Sequence, residues 1–438
     1  MARFLMGVVC SLGWRARIHR AALFGSMLFL LYDYYCGWNF KLEIETQRVN
    51  LKNMQIVLFE DHLVNSFLPL SHTRAIADLF AGMYSVQDRW KLFFENDSLF
   101  IQTRNSLQDL YVALPEGEKV YINARVIPNH EAVAAIQSLK SNEAFFIHDV
   151  CVAAKGLHMN WDSFEHRAWT AETMWLNGIT DLFSVNDYLL RADFALANKK
   201  NSATPSQYCR VIGEGHNLYI HPSAKVFDAV LNIESGPIFI DEGAEVMEGS
   251  MLRGPLYVGK HAVLKMGTKC YGPSSFGEEC RIGGETSNVV FHSFSNKGHD
   301  GFLGNAVIGS WVNFGADSNC SNLKNNYSSV SISNDLDRNE FNTGLTFCGA
   351  LVGDHAKFGI NTMLNTGTYI GVAANVFAGD FPPKCVPSFT WGTGVVEHNL
   401  DKAIQTAERM MHRRGKEMSV AEKAVLTYVF KITAASRS

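Results

Sequence analysis

The chain has 438 residues, 47% hydrophobic and 19% charged, with 35 Gly and 11 Pro. That excludes collagen, coiled coil and wholesale disorder, and leaves room for two or three domains. A net charge of −4 gives no broad electrostatic case for binding nucleic acid.

The positive charge is unevenly spread. Residues 1–53 carry seven Lys/Arg and three Asp/Glu, a net of +4, which leaves −8 for the rest. Arg15, Arg17 and Arg20 precede an apolar stretch over 21–32 that falls short of the ~20 residues needed to span a bilayer. A signal anchor is the lesser reading of this segment. The preferred one is an extension outside the fold, with the functional start at Met54.

Beyond Met54, the runs 56–59, 120–122 and 145–147 read as strands and 76–93 as largely helical. Strands alternating with helices predict a small α/β domain with a parallel sheet over 54–160. Leu182, Val185, Leu189, Ala192 and Leu196 at helical spacing place a helix in a linker over 161–207, which ends in a polar run and Pro205. Nine scattered cysteines without a C-x-x-C pair point to free thiols in a reducing compartment.

A six-residue period follows. Ile240, Val246, Leu252, Val258, Leu264, Cys270, Phe276 and Ile282 form one apolar run. Phe302, Ile308, Phe314 and Cys320 form a second, and Val352, Phe358, Leu364, Ile370 and Val376 a third. Glycine often follows the apolar residue, as at Gly259, Gly283, Gly309 and Gly371. This period fits neither a helix nor a simple strand. It predicts a left-handed parallel β-helix of hexapeptide repeats over 208–390, each hexapeptide forming one face of a triangular coil. The break over 321–350 is expected to be a loop projecting from the prism, a common carrier of function. C-terminal helices follow over 391–438: an amphipathic one at 400–414, then one opened by the capping-box spacing of Ser419 and Glu422. They are expected to cap the open end or to pack between subunits.

Such prisms host acyltransferases, zinc carbonic anhydrases and scaffolds alike, so local motifs must choose. Asn296-Lys297-Gly298-His299-Asp300-Gly301-Phe302-Leu303-Gly304 leads through Ile308-Gly309-Ser310-Trp311-Val312-Asn313-Phe314-Gly315-Ala316 to Ser321-Asn322-Leu323-Lys324-Asn325-Asn326-Tyr327. This stretch resembles the acetyltransferase domain of the bifunctional N-acetylglucosamine-1-phosphate uridyltransferase / glucosamine-1-phosphate acetyltransferases. It is most similar to an alternative bacterial form with a short pyrophosphorylase-like domain, and the resemblance runs from about Met54 to Arg414.

The resemblance implies N-acetylation of an amino-sugar phosphate, such as glucosamine 1-phosphate, by acetyl-CoA. It implies a cytoplasmic homotrimer serving sugar-nucleotide and cell-envelope biosynthesis, with no nucleic-acid partner and no stable membrane insertion. His299 takes the place of the base, since the attacking amine must lose a proton and an imidazole titrates near neutrality. Glu285 matches an acid that orients it. Asn313 and Asn322 match sugar-binding amides. Lys269 aligns with a phosphate contact, with Lys265 and Lys297 as alternatives. Ala316 resembles the site whose N–H faces the thioester, and Ala378 another coenzyme contact. Phe302 replaces a usual tyrosine in the sugar site, and Ile360 a serine at the coenzyme.

The amino-terminal domain lacks the Gly-rich loop of sugar nucleotidyltransferases. It has Pro69-Leu70-Ser71-His72-Thr73-Arg74-Ala75-Ile76-Ala77-Asp78, which resembles the short family's own motif. By that resemblance Arg74 would neutralise a phosphate, Asp78 would help hold Mg2+, and Asn123 with Arg125 would form a second nucleotide-binding segment. Two alternatives stand beside acyl transfer: a non-catalytic sugar-nucleotide-binding scaffold, and a zinc enzyme using His292, His299 and His355.

Overall fold

A computed structural model describes residues 54–437 apart from 96, 378, 394 and 395. The extension 1–53 lies outside the described residues. The apolar run after Met54 becomes β1 (Gln55–Phe59), whose last four residues are buried because neighbours cover both faces of the sheet. It lies between two parallel partners, β2 (Ser98–Gln102) and β3 (Lys119–Asn123).

From there the sheet departs from the parallel arrangement predicted. β4 (Glu143–Ile147) and β5 (Val150–Gly156) form a hairpin, β5 lies antiparallel to β3, and β6 (Glu165–Ala168) runs parallel to β4, giving the order β2-β1-β3-β5-β4-β6. The physical reason is the short connection. Two residues, His148 and Asp149, join β4 to β5, with His148 at φ 52°, and a parallel pair would need a crossover of a dozen residues or more. β6 falls within the span read as a helical linker.

The stretch 76–93 is also less helical than predicted. It divides into a 3-10 turn (Ile76–Asp78), a hairpin of Phe80–Ala81 with Tyr84–Ser85 around Gly82, and only then α1 (Val86–Phe93), capped by Ser85. The helix expected over 182–196 breaks at Val185 into a short turn (Asp181–Ser184) and α2 (Asn186–Leu196).

Beyond residue 208 the chain is a parallel β-solenoid. Its inward residues stack in columns: Val226, Val246, Leu264, Ile282 and Lys297 on one face; Leu231, Leu252, Cys270, Thr286 and Leu303 on another. The third column runs from Ile220 through Ile240, Val258, Phe276, Phe291, Ile308, Val352 and Ile370 to Val386. All eight residues of the first predicted run are at most 2% exposed. The second run starts one residue later than predicted, because Leu303 rather than Phe302 faces in. The corner between two faces of that coil is the single residue Asn305 at φ 46°, where the coil of Lys269–Tyr271 and Ser274–Phe276 uses two, Gly272 and Pro273.

The insertion 321–350 is anchored in the core at its middle and end, while 325–328 and 336–342 are exposed. Val330, Ile332 and Cys348 fold back into the same core that holds Ile56, Leu58, Ile122 and the solenoid residues Val290, Val307 and Leu351. Within it, Asp335 is fully buried and accepts hydrogen bonds from His72 (2.8 Å), the Tyr369 hydroxyl (2.6 Å) and the Ser388 N–H (2.9 Å).

Helices α3 (Leu400–His412) and α4 (Val420–Ile432) follow, and the Ser419–Glu422 capping box forms as predicted. Val425, Leu426 and Val429 of α4 pack on Val372, Ala373 and Phe389 of the late coils and on Leu107 of the α/β region, so the helices lie along the flank. Among the described residues no helix is long and apolar enough to cross a membrane.

Candidate functional site

The site around His299 arises from a difference in corner length. Four residues separate Leu264 from Lys269, four separate Lys297 from Phe302, and four separate Phe314 from Asn319, but only Gly283 and Gly284 separate Ile282 from Glu285. The short corner recedes between its longer neighbours and leaves a hollow. Both glycines are needed for it. Gly284 sits at φ +72°, and a Cβ on Gly283 would lie 2.7 Å from the Gly298 carbonyl oxygen.

The hollow is a cavity of about 470 Å³ lined by Lys265, Met266, the two glycines, His299, Asp300, Ala316 and Asp317. A second cleft of about 820 Å³ adjoins it between the solenoid and α3. Lys265, Gly298, His299 and Ala316 line both, so His299 stands on the wall they share.

The two spaces differ in charge. The smaller sets the carboxylates of Asp300 and Asp317 beside His299. The larger is cationic, with Arg281, Lys357, Arg409, Arg413 and Arg414 around it. Glu279 pairs with Arg281 (2.8 Å) and Arg414 (2.7 Å), while Arg409 and Arg413 form no ion pair with a described residue. Lys357 donates to the carbonyls of Trp311 and His355, both at 2.8 Å, and burial lowers its pKa to about 7. Among the described residues the Ala316 N–H has no hydrogen-bond partner. Hence an imidazole, an open backbone donor and fields of opposite sign meet at one corner.

The other predicted residues divide. Asn313 lines the larger cleft and accepts from Asn296 at 3.3 Å. Asn322 lies at a different corner, where its amide donates to Asn305 at 2.7 Å. Lys269, Glu285 and Phe302 stack in register on one outer face, and none of them lines either cavity. Ile360 lines the larger cleft, and Ala378 lies outside the described residues.

Lys297 is not a surface phosphate contact. It is 2% exposed, points into the prism, and its Nζ donates to the carbonyls of His299 (3.0 Å) and Asp300 (3.2 Å). Sequence reasoning missed Arg409 on α3, Arg413 and Arg414 just past its end, and the short corner made by Gly283-Gly284, although the paired glycines were a visible signal.

Of the predicted nucleotide-binding residues, Arg74 and Asp78 line the same two cavities, whereas Asn123 lies apart from them. Arg74 is held by both oxygens of Asp354, which also accepts from Thr73 (2.6 Å) and the Ser310 N–H (2.7 Å). Burial would raise the Asp354 pKa, but the Arg74 charge overrides it and lowers it. Asp78 accepts from Tyr111 (2.5 Å) and from Gln87, and burial raises its pKa. Asn123 is fully buried elsewhere, donating to Asp61, which Arg125 clamps at 2.7 Å.

The three histidines of the zinc alternative are also placed apart in function. His292 accepts the Phe80 N–H, His355 stacks on Trp311, and burial lowers both pKa values to about 3. Among the described residues no group of three or more His, Cys, Asp or Glu is arranged to hold a metal.

Fold and site together define a parallel β-solenoid with an α/β region docked on its flank and its two adjoining cavities at a solenoid corner. Residues 56–202 match the family model described as sugar nucleotidyl transferase. No curated protein matches the chain. Among solved structures, AntD, an N-acyltransferase from Bacillus cereus in complex with dTDP and coenzyme A, is similar at 13% identity and a TM-score of 0.20, over 49% of this chain and all of that one. A likeness so loose carries no argument about function.

Proposed function

We propose that the protein is an acyl-CoA-dependent N-acyltransferase acting on an amino-sugar phosphate, with glucosamine 1-phosphate and acetyl-CoA as the first pair to test. The observation that carries this reading is His299 on the wall between two cavities of opposite charge. A protonated amino sugar suits the Asp300 and Asp317 side, and the phosphates of an acyl-CoA suit the arginine side. The bound ammonium first gives one proton to solvent, and the resulting neutral amine attacks the thioester carbonyl carbon. His299 takes the proton as the C–N bond forms, and the Ala316 N–H meets the charge developing on the carbonyl oxygen. The C–S bond then breaks, and the thiolate leaves with a proton from the imidazolium. Asn313, on the floor of the larger cleft, is available to orient either substrate.

The test is consumption of acetyl-CoA in the presence of glucosamine 1-phosphate. His299→Ala is expected to lower kcat by about 10²–10⁴-fold. Full activity in that variant overturns His299 as the base. No turnover across a panel of amino-sugar phosphates favours the scaffold reading. The cytoplasmic homotrimer belongs to the same proposal, and light scattering of the full chain tests the trimer.

A second reading, sugar-1-phosphate nucleotidyl transfer with Mg2+, is favoured by the family match over residues 56–202. The commitment of Arg74 to Asp354 weighs against the residues first predicted for it. Release of pyrophosphate from UTP and N-acetylglucosamine 1-phosphate tests it.

A further inference from the structure

Lys297 breaks an otherwise apolar column. Below it in register lie Ile282, Leu264 and Val246, and the bridge between Asn296 and Asn313 sets Phe314 on the coil above. A leucine would fill such a place, because the neighbours above and below it in the column are apolar. An ammonium here gives up its hydration, which costs several kcal/mol unless the protein supplies acceptors. The acceptors supplied are the carbonyls of His299 and Asp300, at 3.0 and 3.2 Å.

These carbonyls belong to a corner with little else to hold it. Residues 298–301 begin and end in glycine, Gly301 lies at φ +112°, and a Cβ on Gly298 would meet nothing within 4 Å. Its other backbone tie is the Glu285 N–H to the Gly301 carbonyl at 3.1 Å. Without a tether from inside the prism, the imidazole would be carried by a four-residue loop open to solvent on one side.

We propose that Lys297 is the positioning residue of this corner: reaching outward from the prism core, it grips the His299 and Asp300 carbonyls and fixes the imidazole on the wall between the two cavities. The proposal rests on the acyl-transfer reading for its effect on rate, but not for its effect on His299 itself. Burial lowers the Lys297 pKa to about 8, and the nearby charges of Asp300 and Asp317 oppose that shift.

Lys297→Met keeps length and suits the apolar column, so it separates positioning from packing. In the full chain its thermal midpoint is expected at or above wild type. Its kcat is expected to fall by about 10²-fold, the scale on which misplacement of a reacting group by an ångström acts. KM for acetyl-CoA should stay unchanged. In ¹³C-histidine NMR the His299 resonance, assigned through His299→Ala, should shift or broaden. Lys297→Gln, which restores a donor, should return part of the rate and part of the resonance position.

Wild-type kcat or an unmoved His299 resonance in Lys297→Met overturns the proposal. So does a rate loss that follows a falling midpoint in both variants. If Lys297→Met does not fold, Lys297→Gln carries the same readouts. If the wild type acetylates no amino-sugar phosphate, the acyl-transfer reading fails, and the resonance alone decides the role of Lys297.

Discussion

Asp354 accepts four hydrogen bonds while almost out of contact with water, and Arg74 supplies the charge that allows it to stay ionised. Removing one member of such a pair leaves the other buried and uncompensated, at a cost of about 3–5 kcal/mol. Arg74→Met is therefore expected to lower the thermal midpoint sharply, and Arg74→Met with Asp354→Asn to recover more than half of the loss. Thermal unfolding of the four members of this cycle checks it. A nucleotide-binding role for Arg74 gives the opposite pattern, with stability intact and only nucleotide transfer lost. The same motif shows why this part of the site was hard to read in advance. Arg74 and Asp78 stand where a phosphate-binding loop would put them, but Asp354 is about 280 residues away in sequence, and no local pattern announces the pairing.

At the scale of the element, the corner lengths of the solenoid decide where a cavity can open. The Gly283-Gly284 corner is the short one, and its glycines lie almost against the corner that carries His299. Gly283→Ala places a methyl 2.7 Å from the Gly298 carbonyl oxygen, so that corner must shift outward. The expected loss of stability is about 1–3 kcal/mol, the usual range for overpacking, together with a fall in acetylation; thermal unfolding and the acetyl-CoA assay measure the two. The solenoid was legible because each inward position repeats every six residues and shows its chemistry directly, as from Ile240 to Ile282. The pattern failed at Phe302, where Asn305 alone turns the corner, and a one-residue change in a corner is invisible to a fixed period. The motif singles out His299 but not its surroundings, because the cleft is completed by Arg409 of a helix more than 100 residues downstream and by Arg413 just past its end.

Over the whole molecule, no dividing line separates the α/β region from the solenoid. One core holds Ile56 and Ile122 of the sheet, Val290 and Val307 of the coils, and Val330 and Ile332 of the insertion. Asp335 ties the same three parts, through His72, Tyr369 and Ser388. Parts that share a core and its buried polar ties should unfold together. Acid is the perturbation to use. Burial would raise the Asp335 pKa, but the facing His72 and the hydrogen bonds of Ser388 and Tyr369 hold it well below the ordinary 3.8, and Asp61 and Asp354 are lowered as well. A carboxyl lowered by folding contributes stability that is fully present above its unfolded value and is lost as pH falls towards its folded one. The buried, neutral His292 and His355, lowered to about 3, act in the same direction but earlier, so the protein is expected to lose stability from about pH 6.5 downward and more steeply below about pH 4, where the carboxyls join in. Tryptophan fluorescence and far-ultraviolet circular dichroism should trace the same single transition, because Trp90 and Trp169 sit in the core that both parts share. Asp335→Asn should be less stable at pH 7 and show a shallower acid slope, since one of the depressed carboxyls is gone. Two separated acid transitions, or an Asp335→Asn slope equal to that of wild type, would show that the insertion does not bind the parts into one cooperative unit.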